Sequence, residues 1–277
     1  MTVIQNSWRR TIVLMLAFMV VVLLAPKFSP YNPDGGTAIS YTKYQQPSFT
    51  HPMGTDQVDR DLMSRVLRGS QKSVLLASGA MTIALILGTT LGIFAALSGG
   101  WIEGLSMRIT EVAMSVPRFL VLLAVTSISS NPYSLVQLTL LVGLTGWFEV
   151  ARLTRGEVAG LLSRDWVMAT RATGIGRFRL ATKHIFPHLM PMLVVMATLG
   201  VGRVVVLEAG LSYLGAGGTG GSLGNLLHDG FSALGDKWWM TMFPGLAIIL
   251  IVLACNALGD ALRDVFAPEQ VHAWPTT

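Results

Sequence analysis

The sequence points to an all-α integral membrane protein, six transmembrane helices with a long cytoplasmic loop between spans 4 and 5. Composition is the first reason. Of 277 residues, 52% are hydrophobic and only 13% charged, and the mean hydropathy is +0.57. That balance leaves too little polar surface for a soluble domain of this size. Length is the second: apolar runs of about 20 residues, enough to cross a ~30 Å hydrocarbon core as helix, recur along the chain between short polar joints. The third is that Lys and Arg collect on one side of these runs, as membrane insertion favours.

Asn6 to Arg10 forms a short basic head, and Thr11 to Ala25 follows as a continuous apolar run that Pro26 and Pro30 break. A signal peptide begins in the same way. Because no small-x-small cleavage site precedes the prolines, a retained first span is expected. Apolar runs over Val74–Leu97, Ile109–Ile128, Leu135–Val150, Leu189–Leu211 and Met240–Leu258 bring the number to six. An even number places both termini on one side. With the head inside, Arg9, Arg10, Arg108, the seven Lys and Arg of 151–188 and Arg263 are cytoplasmic. Lys27, Lys43, Arg60, Arg65, Arg68, Lys72 and Lys237 then lie outside, most of them in one long loop, where the charge rule is weak. The expected organisation is a first span and external loop over 1–72, a five-helix core over 73–265 containing the loop 151–188, and a short cytoplasmic tail over 266–277. In "GTTLG", Gly88 and Gly92 share one helix face, where a neighbouring backbone can come close.

The net charge of +5 is accounted for by the cytoplasmic loops, so nucleic acid is not expected as a partner. Cys255, the one cysteine, sits in an apolar run, which leaves packing as its role and excludes disulfides. No phosphate-binding G-x-x-x-x-G-K-[ST] occurs, "ALGDKW" being the nearest approach, and no H-E-x-x-H or G-x-S-x-G is present. The chain is therefore expected to bind no ATP, metal or other cofactor and to have no catalytic residue. His184 and His188 share a helical spacing, but Pro187 interrupts it and solvated side chains are the better expectation.

The polar stretch "RATGIGRFRLATKHIFP" brings Arg171, Arg177, Arg179, Lys183 and His184 together between apolar segments. Trp166–Thr173 lacks Pro and Gly and can be helical, while Gly174 offers the left-handed conformation that closes a helix. A second short helix over Gly176–His184 would put Phe178, Ala181 and Ile185 on one apolar stripe and Arg179 and Lys183 on another side. Phe186, preceding Pro187, is expected to leave the helical region. The product is a basic, amphipathic knuckle below the membrane. Composition alone favours contact with lipid headgroups.

Several motifs in order carry a family resemblance. Gly174, Ile185 and Pro187 sit where the cytoplasmic loop of ABC importer permeases has its Gly and I-x-P, after "MATRATG". "MGTDQVDRDLMSRVLRGSQKSV", "GGWIEGLSMRITEVAMSVPRFL", "EAGLSYLGAG" and "FPGLAIILIVLACNALGDALRD" extend the likeness along nearly the whole chain after the first span. The chain resembles the shorter, second permease of the dipeptide, oligopeptide and nickel family. It departs from the pattern at Met168 (usually Glu), Asp59 (usually Gly), Gln71 (usually Arg), and at Phe266 and Ala267 before Pro268 (usually Leu-Asp-Pro).

The resemblance implies an ATP-driven importer in a bacterial cytoplasmic membrane. Its other parts are a second homologous permease, two ATPase subunits that carry ATP and Mg, and an external solute-binding protein. It also implies that the loop is a coupling helix contacting the ATPases through Ala169, Arg171, Gly174, Arg177, Phe178, Arg179, Lys183, Ile185 and Pro187. Gly54, Asp56, Arg60, Asp61, Glu208 and Asp260 fall in the family's structural motifs.

Glu111, Arg118, Glu149, Arg203 and Glu208 fall in or near apolar runs, where an ionised group costs a few kcal/mol unless paired or wetted. Arg203 and Arg118 are the expected pathway residues, since an Arg suits a peptide carboxylate. Pairing of Arg203 with an acid of the partner chain is the equal alternative. The solute stays open among dipeptide, oligopeptide, nickel chelate, opine and glutathione. An ion-coupled secondary transporter would need embedded ion sites and inverted halves, and the segments show no such symmetry. A membrane-anchored scaffold would need only the knuckle.

Overall fold

The computed structural model describes residues 13, 15, 17–29, 31–32, 43–129, 131–218, 221–233 and 237–266. The basic head with Arg9 and Arg10 and most of the expected tail, 267–277, lie outside them. The described chain is helical: α1 (Ala17–Lys27), α2 (Leu62–Ser98), α3 (Gly100–Ser115), α4 (Arg118–Ile128), α5 (Leu135–Leu144), α6 (Trp147–Leu162), α7 (Asp165–Ala172), α8 (Arg177–Leu180), α9 (Phe186–Tyr213), α10 (Leu223–Ser232) and α11 (Trp239–Phe266). Four stretches are long and apolar enough to cross a membrane: α2, Leu135–Leu162, Arg177–Tyr213 and α11. The pair α3 and α4 makes a fifth if its bend is counted within one span, and α1 is a shorter apolar helix.

Helix α2 begins at Leu62, twelve residues before the expected Val74. Asp61, in extended conformation, caps it: the carboxylate accepts from the Ser64 backbone N–H at 2.8 Å and from its hydroxyl at 2.6 Å. Arg65, Arg68 and Lys72 thus ride on a helix rather than in an external loop, and the helix runs unbroken through residue 72. At 37 residues it is about 55 Å long, well beyond the hydrocarbon thickness. A hydropathy window sees only its apolar part.

Two expected spans are interrupted. Ile109–Ile128 bends by 73° at Val116–Pro117: Val116 is extended, as a residue before proline prefers, and α4 starts afresh after Pro117. Leu135–Val150 is split between α5 and α6 at Thr145–Gly146. There Gly146 N–H bonds to Gly143 instead of Val142, so the Val142 carbonyl loses its helical donor.

Gly88 and Gly92 lie in the α2 contact with α6. A Cβ on Gly88 would sit 2.5 Å from Val150 Cβ and one on Gly92 2.7 Å from the Ala151 carbonyl, so only glycine allows this approach. Leu62, Leu76, Leu122, Leu138, Val205, Leu211, Leu223, Trp239 and the buried Cys255 form the main core. A second cluster, Val158, Leu161, Val167, Leu180, Ile185 and Leu189, packs under the polar loop. Ile86, Phe94, Val112, Ile128, Val136 and Leu253 are exposed apolar side chains on the helices, suited to lipid or to a neighbouring apolar chain.

Candidate functional site

The polar loop folds into a knuckle of α7 and α8. Gly174, at φ +76° with open space around it, turns the chain between them. The second helix is not separate from the next span, however. Ala181–Ile185 forms one π turn that runs directly into α9, and Phe186 is helical, with its N–H on the Ala181 carbonyl. The wider turn shifts the hydrogen-bond ladder just before Pro187, which has no N–H to give and falls at the junction of the π turn with α9. Phe186 therefore does not leave the helix.

That turn also breaks the expected stripe. Leu180 and Ile185 are buried with Val167, whereas Phe178 is 82% exposed and Ala181 only partly covered. Phe178 and Arg177 stand at an apolar groove of about 850 Å³ between α2 and α9, lined by Ile86, Phe94, Phe186 and Met190 among others. Ala169, Arg171, Gly174, Arg179, Lys183 and Pro187 are exposed as well, and Ile185 anchors the knuckle from inside. Among the described residues no acid pairs with Arg171, Arg177, Arg179 or Lys183. His188 is exposed, as expected, but it also has partners. Its ring stacks on Trp166 at 4.8 Å, and its Nδ1 lies 2.8 Å from the His184 carbonyl.

Within the spans, Arg203 is paired with an acid of this chain, while Arg118 and Glu208 are hydrogen-bonded to its neutral groups. Arg203 Nη1 donates to Glu149 Oε1 at 2.7 Å, joining the middle of α9 to the first turn of α6, and the two side chains are 57% and 46% exposed. Both sit beside the break between α5 and α6. Arg118 serves that break: its guanidinium donates to the stranded Val142 carbonyl and, at 3.3 Å, to the Thr145 hydroxyl. Glu208 is buried and accepts from the hydroxyls of Ser73 at 2.8 Å and Ser212 at 2.6 Å. Sequence alone leaves Arg203 to the pathway or to an acid of the partner chain, because 54 positions separate it from Glu149.

Outside the bundle, Asp56 is fully buried and organises the approach to α2. It accepts from the backbone of Val58 and Arg60 at 2.9 Å each, from Arg60 Nε at 2.7 Å and from Arg65 Nη1 at 2.6 Å. Arg65 reaches on to Asp229 at 3.1 Å. Gly54 accepts the Leu62 N–H through its carbonyl. Asp59 holds a left-handed φ of 61°, the reason a glycine suits that position. Gln71 donates to the Leu23 carbonyl at 2.7 Å, tying α2 to α1. Asp260 is exposed near the end of α11. Among the described residues no three His, Cys, Asp or Glu converge as metal ligands.

The family profile described as "Binding-protein-dependent transport system inner membrane component" matches residues 88–271. A candidate peptide permease protein of Brucella suis biovar 1 (strain 1330) is 36% identical over 263 residues, 93% of this chain and 85% of that protein. The dipeptide transport system permease protein of Alkalihalophilus pseudofirmus is 31% identical over 265 residues, 93% of this chain and 84% of its own. The oligopeptide transport system permease protein of Mycobacterium bovis is 31% identical over 257 residues, covering 92% and 87%. Among solved structures, the MetNI methionine ABC transporter in an inward facing conformation superposes with a TM-score of 0.59 at 20% identity, over 74% of this chain and 97% of that one, a likeness of fold.

Proposed function

The chain belongs to the binding-protein-dependent transport system inner membrane components, the permeases of ABC importers, and on that premise we propose that it is the second permease of a heterodimer importing short peptides by alternating access. The peptide assignment rests on the relatives, which include dipeptide and oligopeptide permeases. Two ATPase subunits carry ATP and Mg on the cytoplasmic side, an external protein delivers the solute, and a homologous permease completes the path. In this reading α1 belongs to a sixth span, both termini are cytoplasmic, the membrane is the bacterial inner membrane, and 73–265 is the permease core with its coupling loop at 151–188.

The observation that carries the coupling role is the continuity of α8 with α9. A knuckle packed through Leu180 and Ile185 and fused to a spanning helix moves that helix as a rigid body when something pushes it, which a flexible loop cannot do. Its outer surface offers an ATPase subunit Ala169, Phe178 and four cations that pair with no acid among the described residues. Co-reconstitution in vesicles tests the reading: peptide uptake should need ATP on the ATPase side, both ATPase subunits, the partner permease and the external receptor. Uptake driven by an ion gradient without the ATPases would contradict it.

A further inference from the structure

We propose that Glu149 and Arg203 form a separable ion pair in the translocation path that receives the free ammonium and carboxylate ends of a zwitterionic peptide; this rests on the peptide-importer reading above. The pair joins two spanning helices at 2.7 Å, yet both side chains are about half exposed. Charges bare to lipid are unfavourable by several kcal/mol, so this face of the chain meets water or another protein. Water is the less costly of the two, because a protein interface would have to desolvate both charges. The Thr145–Gly146 break lies three residues before Glu149. Arg118 already closes the carbonyl that the break strands. Glu149 and Arg203 are therefore not needed to repair it.

The chemistry of the two side chains matches a peptide with free ends. Glu149 accepts only and Arg203 donates only, and the solute carries one ammonium and one carboxylate. With no solute the two groups satisfy each other. An arriving peptide replaces one ion pair by two charge-assisted contacts, ammonium on Glu149 and carboxylate on Arg203. Because the resting pair is half exposed, solvent screening leaves it weak, so giving it up costs the arriving peptide little. The ends of an extended dipeptide are roughly 7 Å apart, so the side chains must separate on loading. Their exposure allows it.

The test is a set of Glu149→Gln, Arg203→Gln and the double variant in the fully reconstituted complex, with peptide uptake, subunit assembly and ATP hydrolysis all measured. Each single variant should assemble and hydrolyse ATP but take up free peptide roughly tenfold more slowly, one charge-assisted contact being lost. The double variant should stay at least as slow. For an N-acetylated peptide, Glu149→Gln should leave the uptake ratio to the parent near one, the receptor's own preference cancelling in that ratio. If the double variant regains parent uptake, the pair only neutralises itself and the proposal is overturned. Loss of the assembled complex in the single variants, regained in the double, would assign the pair to the permease interface and overturn it equally. A parent complex that imports no peptide refutes the peptide reading itself, and the inference with it.

Discussion

Trp166 and His188 stack with ring centroids 4.8 Å apart and planes inclined by 22°, so α7 is fastened to the first turn of α9 across the knuckle. The contact completes a clamp: Val167, Leu180 and Ile185 hold the knuckle from inside, and this stack holds its far end. Trp166→Ala should loosen the clamp by about 0.5 to 1.5 kcal/mol. The complex should assemble with less solute moved per ATP hydrolysed, read from uptake and phosphate release in the same vesicles. Unchanged stoichiometry would remove the stack from the coupling element.

Gly174 holds φ +76° with nothing near the place a Cβ would occupy, so any penalty there is conformational rather than steric. Gly174→Val should cost on the order of 1 to 3 kcal/mol locally and reduce uptake, whereas Gly174→Asn, which tolerates the left-handed region, should retain most of it. Equal loss in both variants would show that the space, not the backbone angle, matters.

Gly88→Val should separate α2 from α6, since its first added carbon already meets Val150 at 2.5 Å. Thermal unfolding of the detergent-solubilised complex should fall by several degrees. Gly160→Ala, with open space around it, is the control that should leave the transition in place.

The proposed topology places Ser48 outside and Ser163 inside, and both positions are exposed. In a Cys255→Ala background, a cysteine at Ser48 should react with an impermeant thiol reagent added to intact cells and one at Ser163 only after permeabilisation. The reverse pattern would invert the bundle and place the knuckle on the wrong side for any ATPase.

What could be read in advance was whatever the chain signals locally. Apolar runs gave most of the spanning stretches, the Gly88 and Gly92 spacing gave the α2 face, and Gly174 gave the turn. Pro117 was visible too, but the apolar run continues past it, and hydropathy alone cannot distinguish a straight span from one bent by 73°. The π turn at 181–185 left no sequence signal, so the stripe through Phe178, Ala181 and Ile185 was drawn with the wrong period. Pairings over long separations were hidden for the same reason: Arg203 with Glu149, Arg118 with the Val142 carbonyl and Ser73 with Glu208 exist only once the helices have packed.

Coupling through the knuckle is tested most directly by measuring peptide uptake and ATP hydrolysis together in vesicles holding the parent complex or its Phe178→Asp variant. Phe178 is 82% exposed and belongs to no buried cluster among the described residues, so the variant should fold and insert like the parent. Uptake should collapse while the ATPase subunits bind weakly, or hydrolyse ATP without moving solute. Normal uptake with the ATPase subunits bound would contradict the account and leave the cations of the loop to hold it against anionic lipid.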